Sequence, residues 1–122
     1  MNFNKFTIKA QEAIQEAVNL VQSKGQQAIE PEHLLAGILK VGENVTNFLF
    51  QKLGVNARNI ELVLEKQIDS RPKVQGGEPY LSRECNEVLT RAQEFATKNG
   101  DEFVSVEYMI KALLAVKSNV SQ

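Results

Sequence analysis

Few side chains in this sequence are of a kind that could do chemistry, and their spacing limits what that chemistry is. There is one histidine, His33, and one cysteine, Cys85. A single imidazole cannot build a multi-histidine metal centre. Without a partner motif, His33 reads as a half-buried aromatic at the start of a helix. Cys85 falls on the apolar side of its helical pattern and reads as a small core residue rather than a nucleophile. No G-x-x-x-x-G-K-[ST] loop is present to cradle nucleotide phosphates. Neither G-x-S-x-G nor H-E-x-x-H occurs. What remains is a set of polar groups at predicted helix starts. Glu32 and Glu107 each fall at about the second position of a helix, where free N–H groups and the helix dipole favour a carboxylate by about 0.3–1 kcal/mol. Helix stabilisation and recognition of a ligand are both open for them. Thr7 is placed to cap a helix with its hydroxyl, and Asp101 follows Gly100 in a turn. Such groups bind; they do not form a catalytic constellation.

The elements that must position them are written twice. Residues 7–47 and 82–122 share one plan at a constant offset of 75. Of 41 aligned pairs, 14 are apolar in both copies. Chance alignment of such copies would give about 7, so the register is a true internal repeat. Glu32 aligns with Glu107, Gly25 with Gly100 and His33 with Tyr108. A duplicated helical unit predicts a pseudo-symmetric body with a seam between its halves, and such seams bind partners.

Along the first copy, Thr7 caps a helix that carries Ala10, Ala13, Ile14, Ala17, Leu20 and Val21 at helical spacing. Gly25 stops it by taking the left-handed conformation at low cost. Ala28-Ile29 is a short apolar bridge. Glu30 and Pro31 open a second helix with Leu34, Leu35, Ile38 and Leu39 inward. Val45–Leu53 is a third, with Phe48, Leu49 and Leu53 inward and Gly54 as its stop. Asn56 caps a fourth, with Ile60, Val63, Leu64 and Ile68 inward. Residues 69–80, rich in proline and glycine, read as an exposed linker. Then the plan restarts. Ser82 caps a helix carrying Cys85, Val88, Leu89, Ala92, Phe95 and Ala96. Ser105 caps another with Met109, Ile110, Leu113 and Leu114. The predicted fold is all-α: two pseudo-symmetric repeats of a four-helix unit, residues 1–68 and 81–122, joined by the 69–80 linker. The second repeat is expected to be truncated, the sequence being a piece of a longer polypeptide.

Composition sets the outer bounds. Net charge is −1 and apolar residues make up 43%, an ordinary balance for a single folded domain. A sequence-independent nucleic-acid binder needs a basic face to displace counterions, so nucleic acid is not an expected partner. No apolar run reaches the roughly 20 residues that span a bilayer, so no membrane is expected either. One cysteine and no signal-peptide core favour the cytoplasm.

The series Phe6-Thr7, Ala10, Ala13-Ile14 and Ala17, followed by Ile29-Glu30-Pro31-Glu32-His33-Leu34-Leu35, resembles the N-terminal domain family of the Clp chaperone ATPases. Arg71-Pro72-Lys73-Val74-Gln75-Gly76-Gly77, then Tyr80-Leu81-Ser82 and Phe103-Val104-Ser105-Val106-Glu107, is most similar to its ClpB disaggregase branch. The resemblance implies attachment to ATPase modules in a hexameric ring, which hold ATP and magnesium. No cofactor is implied for this domain, which would be a non-catalytic binding unit. It implies engagement of unfolded or aggregated polypeptide through Thr7, Asp101 and Glu107, with an adjacent apolar groove drawing on Leu89, Phe95 and Tyr108. Arg91 departs from the apolar character of relatives at its position. In the ClpA and ClpC branches the related domain docks adaptor proteins. There, glutamates matching Glu32 and Glu107 bind phosphorylated arginine, which gives an alternative site.

Overall fold

The computed structural model describes residues 2–54, 56–74 and 77–116. Helix starts at Thr7, Asn56 and Ser82 follow the capping chemistry of the sequence, whereas Ser105 holds the last N-cap position without a side-chain capping bond. In α1, Ile8–Ser23, the Ala10 N–H donates to Thr7 Oγ1 at 3.1 Å. Strand β1, Ala28–Ile29, leads into α2, Pro31–Val41, with proline in its first turn. Gly42 stands between α2 and α3, Glu43–Leu53. Asn56 caps α4, Ala57–Asp69, through two backbone N–H groups. Strand β2, Tyr80–Leu81, precedes α5, Arg83–Lys98, capped by Ser82 Oγ on the Cys85 N–H. The last described helix is α6, Val106–Ala115.

The chain is therefore mostly helical, but two strands interrupt the all-α expectation. β1 and β2 pair in parallel, Ala28 with Tyr80 and Ile29 with Leu81. A second parallel bridge joins Phe6 to Val104. The 75-residue offset maps one pairing on the other: Phe6 corresponds to Leu81, and Val104 to Ile29. Their hydrogen bonds match as well. Thr7 N–H donates to the Val104 carbonyl at 2.9 Å, as Ser82 N–H donates to the Ile29 carbonyl at 3.0 Å. Each copy's lead-in segment thus completes the bridge of the other copy.

One core runs through both copies. Ala10, Ala13, Ile14, Ala17 and Val21 of α1 meet Leu34 and Ile38 of α2, and Cys85, Val88, Leu89, Met109 and Leu113 continue the same cluster. The α1–α2 approach is close enough that a Cβ on Gly37 would run into the Ala13 carbonyl oxygen. Alanine and glycine at this crossing remove the side chains that would hold two helices apart. Cys85 is fully buried, and burial pushes its thiol up to about 12.

Several inward assignments are corrected. In α3, Phe48 and Leu53 are exposed and Phe50 is buried. Phe50 lies about 200° around the helix from Phe48, so burying one turns the other outward. The Leu49 side chain lies outside the described residues. In α4 the inward row is Ile60, Leu64 and Ile68, four apart, and Val63 one position away is exposed. Leu114 is exposed where its counterpart Leu39 is partly covered. Leu39 lines a cleft with Leu64 and Ile68 of α4, whereas no described element covers Leu114.

The linker is also not a free segment. Arg71 is half-buried, Val74 N–H donates to the Gly25 carbonyl at 2.9 Å, and Tyr80 N–H donates to the Gln27 carbonyl at 3.1 Å. Most of its described side chains are exposed, as expected, but its backbone is held because the segment supplies the partner strand for β1. Of that stretch, Gln75 and Gly76 lie outside the described residues, as do 117–122, where the repeat register was expected to continue.

Candidate functional site

The polar residues singled out in the sequence separate into two places, which are equivalent in the repeat. The first is built around α2. Glu30 N–H donates to His33 Nδ1 at 2.9 Å, so this nitrogen is an acceptor and the proton sits on Nε2. Nε2 then meets Gln26 Oε1 at 2.7 Å. His33 is fully buried rather than half-buried. Burial, with a smaller contribution from the nearby Arg71 charge, lowers its pKa to about 4. Glu32 is fully buried too, at 0% exposure. Arg71 reaches it with two donors, Nε at 2.9 Å and an Nη at 2.7 Å, both on Oε2. The other Nη lies 3.5 Å from a carboxylate oxygen of Glu30. Glu32 Oε1 has no donor among the described residues.

The second place is built around α6. Tyr108 occupies the repeat position of His33 and Asp101 that of Gln26. The same side-chain bond recurs: Tyr108 O–H donates to Asp101 Oδ2. Here the pair lies at the surface. The hydrogen bond to Asp101 raises the Tyr108 phenol above its usual range, assisted by burial and nearby negative charge. Thr7 joins this region through its N–H on the Val104 carbonyl, while Val104 N–H donates to the Lys5 carbonyl at 2.7 Å. Phe103, next to Val104, is 49% exposed. Glu107 is exposed in the first turn of α6. Among the described residues it has no ion-pair partner, unlike its buried mate Glu32. Phe95 is half-buried on α5, with Lys111 Nζ 4.5 Å from its ring centroid, a cation–π contact.

The structure bonds Tyr108 to Asp101, ties Thr7 to Val104 in the segment that follows Asp101, leaves Glu107 exposed next to Tyr108 in the chain, and sets Phe95 against Lys111 of α6. It does not bring Leu89 to this surface. Leu89 is 0% exposed and belongs to the core under α5. The resemblance implied a groove role for Leu89, but its position on the inward row of α5 seals it. Glu32 is also remote in character from Glu107: one carboxylate is closed beneath an arginine and the other faces water. Sequence reasoning missed Phe103, Lys111, Gln26 and Arg71. The repeat held the signal for Gln26, since it aligns with Asp101 as His33 aligns with Tyr108. For Arg71 no local signal existed, because its partner is 39 residues away.

A separate cleft of about 440 Å3 opens between α1, α2 and α4, floored by Leu20, Leu39, Leu64 and Ile68. None of Thr7, Glu32, Leu89, Phe95, Asp101, Glu107 and Tyr108 lines it. Among the described residues no helix is long and apolar enough to cross a membrane.

Comparison with known proteins places this geometry. The Clp repeat N-terminal domain family matches residues 5–122. A chaperone protein ClpB of Bacteroides thetaiotaomicron is 69% identical over 99% of this chain, and one of Porphyromonas gingivalis is 47% identical over 99%. The chain spans 14% of the length of each. Among solved structures, the Hsp104 N-terminal domain of Candida albicans superposes with a TM-score of 0.82 at 21% identity, covering 91% of this chain and 74% of that one. The N-terminal domain of the ClpV1 ATPase of enteroaggregative E. coli gives 0.86 at 23% identity, covering 97% and 75%. Those two show the fold. With the family matched across nearly the whole sequence and a ClpB relative at 69% identity, the chain belongs to the Clp N-terminal domain family, in its ClpB branch.

Proposed function

We propose that this domain engages exposed apolar segments of unfolded or aggregated polypeptides and passes them to ATPase modules of a longer, hexameric parent protein. Those modules use ATP and magnesium. The domain itself, one unit over residues 1–122 with repeats at 1–68 and 81–122, binds without catalysing, and acts in the cytoplasm. The observation that carries the reading is the surface patch of α6. An exposed aromatic, Phe103, lies in the loop that begins at Asp101 and holds Val104, beside Thr7, the Asp101–Tyr108 pair and Glu107. Apolar surface binds unfolded chain by area removed from water, with little demand on sequence. A few hundred Å2 yield a modest gross gain at roughly 25 cal/mol per Å2, and ordering a flexible ligand cancels much of it. Weak, promiscuous binding results, strengthened by several copies in a ring.

NMR shift mapping with reduced casein tests this. Shifts should gather on Thr7, Phe95, Asp101, Phe103, Glu107 and Tyr108. No shifts at high casein concentration would overturn capture by this domain.

A second reading, docking of an adaptor or of phosphorylated arginine through Glu32 and Glu107, has one observation in its favour. Glu32 already holds a guanidinium, that of Arg71. It requires Arg71 to leave, and binding of a charged ligand that fades with salt.

A further inference from the structure

The Glu32–Arg71 pair is more than an ion pair between neighbouring helices. Arg71 lies just past the end of α4, and its own backbone is held in place. Its N–H donates to the Ile68 carbonyl at 3.1 Å, and its carbonyl accepts from the buried Gln26 amide at 3.4 Å. The same amide donates to the Ile68 carbonyl at 2.6 Å, while its oxygen meets His33. Beyond Arg71, three described residues bond to the edge of the first copy. Val74 N–H bonds to the Gly25 carbonyl, Tyr80 N–H to that of Gln27, and Ser82 N–H to that of Ile29. Ser82 then caps α5. The clasp therefore stands at the head of a row of backbone bonds that ends at the first turn of the second copy's leading helix.

The clasp is also imperfect. Two guanidinium donors converge on Oε2, and Oε1 is buried with no donor among the described residues. A buried carboxylate oxygen without a donor is costly, so the pair stands below the strength its burial would allow. Among the described residues, the equivalent row on the other side, Lys5 to Thr7 against Val104, carries no such clasp. Its nearest charge pair is the exposed Lys5–Glu102 contact at 3.7 Å.

We infer that Glu32 and Arg71 form a releasable lock: its opening frees the row at Val74, Tyr80 and Ser82 as one unit, while the helices remain folded. Local opening of this kind proceeds in cooperative pieces at a lower free energy than global unfolding. The lock thereby sets how firmly the start of α5 is tied to α1 and α2.

Amide hydrogen exchange on the whole chain tests it, in Arg71→Gln and in the double variant E32Q/R71Q. The single variant leaves a buried charge without its partner and can loosen the whole fold. The double variant removes both charges, so that no buried charge is left unpaired, and removes the lock with them. In both, exchange at Val74, Tyr80 and Ser82 should accelerate together by roughly tenfold or more, the scale of a lost charge-assisted hydrogen bond. In the double variant, Thr7, Val104 and the amides of α2 should keep their native rates. Unchanged exchange at the three amides would overturn the inference. So would equal acceleration across α1 and α2 in the double variant, which would make the pair an ordinary structural contact.

Discussion

His33 and Tyr108 occupy one repeat position and meet opposite environments, and each makes a prediction. Burial holds His33 neutral, with a pKa of about 4, whereas an unfolded chain takes up that proton near pH 6.5. The depressed folded pKa makes the contribution of neutral His33 complete above about pH 6.5. It is lost as pH falls toward 4, on the order of 3 kcal/mol in all. Urea midpoints measured at pH 7.5 and pH 4.5 should differ more in the native chain than in His33→Gln, which cannot titrate there. For Tyr108 the sign reverses. Its phenol is raised by the bond to Asp101, so Asp101→Asn should return the titration toward the usual value, followed by NMR of the ring against pH. The sequence alone placed both rings at a helix start. It could not tell buried from surface, because that depends on whether a remote segment, here the one carrying Arg71, closes over the site.

At the scale of elements, caps and stops were legible and facing was not. Thr7, Asn56 and Ser82 cap as their types demand, since capping is settled within four residues. The face of α3 was not legible. Phe48, Phe50 and Leu53 give competing apolar rows on a short helix, and of the three the fold buries Phe50. Strand pairs of two residues leave no periodic trace at all. The α1–α2 crossing is where one atom matters most. Gly37→Ala should destabilise by about 1–3 kcal/mol, the scale of overpacking a tight core, read from urea denaturation. The equivalent residue in α6 is Ala112, fully buried, so Ala112→Gly should cost about 1–2 kcal/mol, the helix-propensity difference of glycine plus the lost burial of one methyl group. The two crossings are therefore alike in plan and unlike in tightness, which the repeat alignment alone would have missed.

At the scale of the whole molecule, the 75-residue repeat was the strongest sequence signal and the reciprocal pairing of its copies was the least visible consequence. Because each copy finishes the other's bridge and both share one core, neither has a complete set of backbone partners by itself. Thermal unfolding followed by far-UV and near-UV circular dichroism should give coincident single transitions. The candidate site was legible in its polar members, which turns and helix starts announce. Its apolar members were legible only in part: Phe95 is half-exposed on α5, but Leu89 is sealed in the core and the exposed Phe103 sits in a loop with no periodic signal. The reciprocal pairing also creates a hazard. Two molecules can trade halves across the segment that joins them, every bridge forming between chains instead of within one, at little cost in contacts. Arg71 holds that connecting segment bent back onto its own first copy, and so disfavours the trade. Refolded at high concentration, E32Q/R71Q should yield more intertwined dimer than the native chain, visible by size-exclusion chromatography as a species that does not dissociate on dilution.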